Sequence, residues 1–269
     1  MGYFPDKEIV AGMKTWFNSY VGAFKFDNHE QQQNIDIKRE HTERAVKEIV
    51  NIGKELGLND DELELAGIIA LFHDIGRFEQ YNLYKTFSDH KSLDHAELGI
   101  KILVKHNVLG MLDEEIQKLI LCSIKYHNRP SLPGEETEKC LFYSRLVRDA
   151  DKLDILRVVT DYYHREKKQI NPALVLELPD SHGISGEVYE ALMNKKVVDM
   201  RHVKNVNDIK LLQAGLIYDI NFEPTLNDVK NRRYIEKIRE VLPNLREIDK
   251  IFNLIYLSSI LFPLNWFII

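Results

Sequence analysis

The sequence predicts an all-α protein with a C-terminal helical extension, and three observations support this fold class. Apolar residues recur at the spacing of a helix along most of the 269 residues. Signals for helix starts and ends separate these segments, and no Ser/Gly-rich linker, charge block or internal repeat divides them. The hydrophobic content of 44% is sufficient for a sizeable core. We therefore expect residues 1–269 to form a single domain.

The first third of the chain contains three predicted helices. Residues 6–25 form the first helix, and the second runs from about 36 to 57, where a glycine ends it. The third begins at Asn59, which has Glu62 three residues later in the arrangement of a capping box. This third helix contains the apolar run LAGIIALF, so we expect it to be deeply buried.

The middle of the chain alternates polar loops with predicted helices. A polar loop over 76–91 leads to Ser92, which starts a helix over 93–106. Asp113 caps the following helix. The Pro/Gly-bearing loop NRPSLPGEE then precedes a long helix over roughly 138–164.

Residues 166–206 give a weaker pattern. The segments LVLELP and KVVDMRHV are either short strands or irregular crossings, and the pattern leaves both alternatives open. Between them, SGEVYEALMNKK predicts a helix. Residues from about 207 to 260 return to helical spacing, so we assign the C-terminal helical extension to about 207–269.

The overall charge and the cysteine content restrict the class of protein. The net charge is −6 and the pI is near 6.0, whereas a nucleic-acid duplex is bound by a basic face. We therefore expect no nucleic-acid duplex as a partner. Cys122 and Cys140 do not form a CxxC pair, which predicts two reduced thiols in a cytoplasmic protein.

The two ends of the chain bear on membrane association. The segment MGYFPDKEIVAGMK lacks the apolar region of a secretory signal. Residues 254–269 are strongly apolar, but Pro263 and Asn265 interrupt a segment that is shorter than the about 20 residues of a membrane span. We expect a packed terminal helix and tail, with a peripheral membrane contact as the alternative. An apolar tail could also pack against a second subunit, which suggests a homo-oligomer.

Six ionisable residues fall on faces of the predicted helices that should point inward. They are His41, His73, Asp74, His95, His127 and Asp151. A single inward histidine is usually a hydrogen-bonded core residue. Six such groups from five helices need a common partner that offsets the cost of their burial, because an unpaired buried charge is strongly destabilising. A divalent metal ion supplies it, since it binds imidazole nitrogens and carboxylate oxygens together.

The order of these residues resembles a known family. His41, the pair His73-Asp74, and Asp151 within RDADKLD are similar to the H…HD…D signature of the HD superfamily of metal-dependent phosphohydrolases. The resemblance covers about residues 36–165. It implies an HD-domain helical bundle in which the signature residues bind a metal ion.

Two further histidines extend the resemblance to the dinuclear members of the superfamily. His95 in LDHAELG and His127 in KYHN match the extra histidines of these members. Tyr126 and Asn128 stand beside His127, where the branch that cleaves cyclic dinucleotides has two adjacent histidines, and no GYP motif follows. Cyclic di-GMP is therefore disfavoured as the substrate. No synthetase half of the kind found with alarmone hydrolases is present either.

The resemblance implies two divalent ions, of iron, manganese or another transition metal. The first ion would be bound by His41, His73, Asp74 and Asp151, and the second by His95, His127 and Asp74. Asp74 would be the catalytic bridge between them, because a carboxylate has two oxygens. Such ions lower the pKa of bound water and so supply hydroxide at neutral pH.

Four further residues are candidates for contacts with a substrate phosphate or its leaving group. Arg77 follows the HD pair by three residues, and Gly76 would let the chain turn sharply so that the guanidinium reaches back over the site. Glu79 is a candidate general acid, and Arg129 and Lys152 are candidate phosphate contacts. For each of the four, a solvated or ion-paired residue is the alternative.

Three functions fit these observations. The first is hydrolysis of a phosphate ester or anhydride in a nucleotide or small phosphorylated metabolite. The second is a mixed-valent diiron oxygenase, a chemistry that some HD-fold proteins perform with the same six ligands. The third is a non-catalytic regulatory protein that binds a metal or a nucleotide. The sequence does not identify the substrate, the metal or the oligomeric state.

Overall fold

The computed structural model describes residues 5–164 and 178–260, and every regular element in these two ranges is helical. The prediction of an all-α fold is therefore confirmed. The α-helices are α1 (Lys7–Gly22), α2 (His29–Glu55), α3 (Asp60–Phe72), α4 (Ile75–Tyr84), α5 (His95–Lys105), α6 (Glu114–Tyr126), α7 (Glu138–His164), α8 (Gly186–Met193), α9 (Val206–Gly215), α10 (Glu223–Asn231), α11 (Tyr234–Glu240) and α12 (Arg246–Ile260). Short 3-10 turns lie at Asp89–Lys91, Met200–His202 and Leu216–Asp219.

The helices divide into two compact units. The first unit ends at Asp154 and the second begins at Ile155, so that the division falls within α7. The single domain expected from the sequence, with its core at about 36–165, stays a prediction. No helix among the described residues is both long enough and apolar enough to cross a membrane.

Helix α3 forms the centre of the first unit. It packs against α1, α2 and α6, and its second half from Ile68 to Phe72 is buried on all sides. A helix surrounded by other helices needs no polar face, which explains its uninterrupted apolar run. Its start is fixed by the predicted capping box, because Asn59 accepts from the Glu62 amide and Glu62 accepts from the Asn59 amide, each at 3.0 Å. His73 and Asp74 follow directly at the end of this buried helix.

The polar loop predicted for 76–91 is largely wrong, because residues up to Tyr84 continue as α4. Ile75, Phe78 and Tyr81 recur every three residues and are all buried. This apolar side favours a helix, although polar residues occupy most of the other positions. Only one residue, Asp74, separates α4 from the C-cap of α3.

Gly76 allows close packing between helices rather than the sharp turn expected from the sequence. A Cβ atom at this position would lie 2.0 Å from the carbonyl oxygen of His95 and 2.7 Å from the amide nitrogen of Gly99. The bare backbone of α4 therefore lies directly against the start of α5. This contact brings the first residue of α5 next to Asp74.

Two helix starts and the state of the cysteines also differ from expectation. Helix α2 begins at His29 rather than at about 36, because Asn28 caps it and accepts from the Gln31 amide. Asp94, not Ser92, caps α5.

The prediction of reduced thiols is wrong, because Cys122 of α6 and Cys140 of α7 form a disulfide. Their Cα atoms are 6.1 Å apart, within the usual range for such bonds.

The second unit confirms the helical pattern of the C-terminal third. Helix α9 packs against α8 and α11, and α12 packs against α8. The predicted helix in SGEVYEALMNKK is α8, whereas KVVDMRHV is irregular and ends in a 3-10 turn. Most of LVLELP and the tail after residue 260 lie outside the described residues.

The packing of α4 on α5 can be tested with a matched pair of glycine substitutions. Gly76→Ala should lower the free energy of unfolding by about 1–3 kcal/mol, because its methyl group would overlap the backbone of α5. Gly67→Ala is the control: Gly67 is also helical, but a Cβ there meets no atom within 4 Å. This control should instead gain up to about 1 kcal/mol. Urea unfolding of the metal-free proteins measures both, and equal stability of Gly76→Ala and wild type would contradict the close approach.

Candidate metal centre

The six predicted ligands lie together in the first unit. They are His41 in the middle of α2, His73 at the C-cap of α3, Asp74 at the N-cap position of α4, His95 as the first residue of α5, His127 at the C-cap of α6, and Asp151 within α7. All of them are at most 5% exposed except Asp151, whose side chain is 20% exposed. The sequence separates these residues by up to 110 positions, and helix packing brings them together.

The first group of ligands consists of His41, His73, Asp74 and Asp151. Asp151 Oδ1 lies 3.1 Å from His41 Nε2 and 3.8 Å from His73 Nε2. Asp74 Oδ2 lies 3.6 Å and 3.8 Å from the same two nitrogens. Among the described residues, neither buried Nε2 atom has a hydrogen-bond partner of acceptable geometry. These nitrogens and oxygens therefore surround a common point that suits a cation.

The second group of ligands consists of Asp74, His95 and His127. Asp74 Oδ1 lies 3.2 Å from His95 Nε2 and 3.8 Å from His127 Nε2, and the two imidazole nitrogens are 2.9 Å apart. Asp74 thus turns Oδ2 toward the first group and Oδ1 toward the second. This is the arrangement expected of a carboxylate that bridges two ions.

All four imidazoles turn Nε2 inward because Nδ1 is held from outside the cluster. His73 and His127 each donate from Nδ1 to a carbonyl three residues earlier, of Ala70 and Ile124 respectively, at 2.7 Å. Both histidines are helix C-caps, and the last carbonyls of a helix have no partner within the helix. A donated Nδ1 proton leaves the lone pair on Nε2, which is the form that binds a metal.

Carboxylates hold the other two imidazoles, and neither carboxylate was predicted from the sequence. Asp154 Oδ2 accepts from His41 Nδ1 at 2.7 Å, and Asp89 Oδ2 accepts from His95 Nδ1 at 2.8 Å. Arg44 fixes Asp154 with two hydrogen bonds, of 2.6 and 3.1 Å. Asp154 lies one helical turn after Asp151, and this spacing could have revealed it. Asp89 lies in a loop and carries no such signal.

Charges around the cluster determine its protonation. Burial alone would raise the pKa of Asp74, but Lys38, His73 and hydrogen bonds from the other histidines hold that pKa well below its usual range. The pKa of Asp151 is likewise held well below its usual range, against the effect of burial, by His41 and His73. Burial lowers the pKa of His127 to about 4. At neutral pH the site therefore offers two carboxylates and a neutral His127, as a divalent cation requires.

The structure places Arg77 and Glu79 differently from each other. Arg77 adjoins the cluster: its Nη1 donates to the Asp89 carboxylate at 2.8 Å and to the carbonyl of Phe87, and its Nε is 3.4 Å from Asp74 Oδ1. Glu79 is five residues after Asp74, about 140° around the axis of a helix. Its charge acts on Tyr20 of α1, where burial and then Glu79 raise the pKa of the phenol. The structure does not bring Glu79 to the cluster.

The two remaining candidates are ion-paired or hydrogen-bonded within the protein. Arg129 lies at the solvent-exposed edge of the cluster, 2.7 Å from Glu97 and 3.5 Å from Asp94. Lys152 is buried and donates to the carbonyl of Arg148. Arg148 in turn donates to the carbonyls of Tyr126, His127 and Arg129 around the end of α6, which fixes the chain that carries His127.

The donor set fits a divalent transition metal. Four imidazole nitrogens and two carboxylates are typical ligands of iron, manganese or zinc, and the two groups share one carboxylate. The candidate ligand atoms of His41, His73 and Asp74 lie within 4.8 Å of one another. The same holds for Asp74, His95 and His127. The described part of the chain also places Cys122, Glu136 and Cys140 together, but there the sulfurs bond to each other.

Comparison with known proteins agrees with this geometry. Residues 39–156 match the family model of the HD domain. The match begins two residues before His41 and extends just beyond Asp154, so that it includes all six candidate ligands. Searches of the curated proteins and of the solved structures gave no match.

The support of His41 by Asp154 predicts an effect on metal binding. Asp154→Asn should weaken the affinity for Mn²⁺ by about 10–100-fold, because an amide no longer fixes the imidazole and Arg44 together. Asp161→Asn is the control, since Asp161 is on the same helix but its side chain is 43% exposed and pairs only with Arg157 among the described residues. Competition with a chelator measures both affinities. An unchanged affinity in Asp154→Asn would show that His41 needs no such support.

Proposed function

We propose that this protein is a metal-dependent phosphohydrolase, because residues 39–156 match the family model of the HD domain and HD domains are mostly metal-dependent hydrolases. Its substrate would be a phosphate ester or anhydride of a nucleotide or small phosphorylated metabolite. The observation that carries the proposal is the position of Asp74, whose two oxygens face two separate groups of imidazoles. Two divalent ions about this carboxylate suit the binding of a phosphoryl group.

The residues of the chain would hold and orient the reacting groups. The four imidazoles, Asp74 and Asp151 would hold the ions, which when bound activate water and neutralise phosphate oxygens. Asp151 and Lys38 retain side-chain exposures of 20% and 21%, so the cluster is accessible between α2 and α7. Substrate would enter on this side. A cytoplasmic location, a homo-oligomer and the choice of iron or manganese stay predictions.

The assigned roles of the other candidates stay predictions with different support. Arg77 adjoins the cluster, so a contact with phosphate fits its position, although its present partners are protein groups. Arg129 at the solvent-exposed edge could reach a larger substrate if it released Glu97. Lys152 donates to the Arg148 carbonyl and the charge of Glu79 acts on Tyr20, so their roles in the reaction rest on the sequence.

An oxygenase is the second candidate because both ligand groups are complete. A mononuclear hydrolase has no need of His95 and His127, whereas a diiron centre uses both. Oxygen consumption by protein loaded with iron and partly reduced would distinguish this function from hydrolysis. A regulatory protein would show neither activity while it retained bound metal.

The two-ion arrangement predicts the metal content of variants. Purified protein should bind about two ions per chain. Asp74→Ala should lose most of both, because Asp74 faces both groups, whereas His127→Ala should retain about one. His90→Ala is the control, since His90 is exposed in the neighbouring 3-10 turn. Metal analysis after anaerobic purification measures the content, and full metal content in a His95→Ala, His127→Ala double variant would exclude the second ion.

Hydrolysis itself gives the direct test of function. Addition of manganese or iron should activate cleavage of a nucleotide or generic phosphodiester, chelation should abolish it, and renewed addition of metal should restore it. His73→Ala should be inactive, whereas His90→Ala should remain active. A fully metal-loaded protein that is inert toward a broad panel of phosphate substrates would refute the hydrolase.

A further inference from the structure

Lys38 lies at the accessible side of the candidate metal centre. It is on α2, one turn before His41, and its Nζ donates to Asp74 Oδ2 at 2.9 Å. This is the same oxygen that faces the first group of ligands. Neither the family signature nor the helical periodicity points to Lys38.

An aromatic stack holds the ammonium group of Lys38 in place. Its Nζ lies 5.6 Å from the centre of the Phe87 ring, within the range of a cation–π contact. The Phe87 ring also stacks on Tyr81, with ring centres 4.7 Å apart, and the Tyr81 hydroxyl accepts from the Asn34 amide at 2.9 Å. This chain of contacts orients a positive charge at the mouth of the cluster before any substrate arrives.

Lys38 differs from Arg77 in the number of its partners. Arg77 Nη1 donates to Gln80, to the Phe87 carbonyl and to Asp89, so a turn toward a substrate would break several hydrogen bonds. Within the described residues, the Lys38 ammonium makes one hydrogen bond, and it goes to a carboxylate oxygen that would be a metal ligand. The ammonium is therefore the more easily released of the two cations.

We propose that Lys38 binds the substrate phosphate, an inference that rests on the proposed phosphohydrolase function. If Asp74 Oδ2 served as a metal ligand, the Lys38 ammonium would lose this partner and would remain beside Phe87 at the accessible side. Phosphate oxygens then replace the carboxylate as its partner. Lysine suits this exchange because its compact charge and three rotating donors accept many geometries. Lys38 is thus a substrate-binding residue, and the Phe87–Tyr81 stack positions it.

Direct binding of inorganic phosphate tests this role without turnover. In Mn²⁺-loaded protein, Lys38→Met should weaken phosphate binding about ten- to over a hundred-fold, the loss expected for a charge-assisted contact. Lys38→Arg, which keeps the charge, should retain most of the affinity. Lys47→Met is the matched control, because Lys47 is an exposed lysine on the same helix. Titration calorimetry measures the affinities, and metal analysis should find unchanged metal content in all variants.

The outcomes separate this inference from the proposed function. Wild-type protein that is metal-loaded but binds no phosphate would refute the phosphohydrolase itself. Wild-type protein that binds phosphate, together with Lys38→Met of affinity within about twofold, would refute the role of Lys38 alone. Loss of metal from Lys38→Met would also refute it, because Lys38 would then support the cluster and not the substrate. If Lys38→Met fails to fold, Lys38→Gln provides the same neutral comparison.

Discussion

The negative charge of Asp74 has to be compensated inside a helical core, and this requirement organises the first unit. A lone carboxylate at 4% exposure would be strongly destabilising. Here it is surrounded by Lys38, His73, His95 and His127, whose charges and hydrogen bonds keep its pKa low. Each compensating group comes from a different part of the chain. The helices that carry them must therefore pack so that all reach one carboxylate.

Helix ends supply most of this cluster, and the reason is the chemistry of the backbone. His73 and His127 cap helices whose last carbonyls have a lone pair left to accept from Nδ1, so the backbone itself orients both rings. His95 begins α5, and the close contact at Gly76 brings that helix start beside Asp74. His41 lies in mid-helix without a free carbonyl, so its ring needs a carboxylate from another helix, Asp154.

The six candidate ligands could be predicted from the sequence because apolar residues recur at helical spacing on the inward faces of five helices. An ionisable residue at an inward position stands out against this apolar pattern. It did not reveal the supporting groups. Asp89 is in a loop without periodicity, and Lys38 lies at the edge of a helix face where a lysine is expected to be solvated. Helix α4 was missed because its single buried side is defined by three residues among polar neighbours. The sequence around Gly76 does not indicate whether this glycine permits a sharp turn or close packing of another helix. Only the position of α5 in the structure distinguishes the two.

In the proposed phosphohydrolase, the exposure of Asp151 would give the two ligand groups different tasks. His95 and His127 are almost fully enclosed, and Asp89 and the carbonyl of Ile124 hold their outer nitrogens. The first group includes Asp151, which is the most exposed of the six ligands. An incoming phosphate would therefore meet the first ion directly and reach the second across Asp74. The second ion would mainly lower the negative charge of the shared carboxylate, and with it the repulsion of an anionic substrate. In the proposed enzyme, the buried group would thus make the more exposed group able to accept an anion.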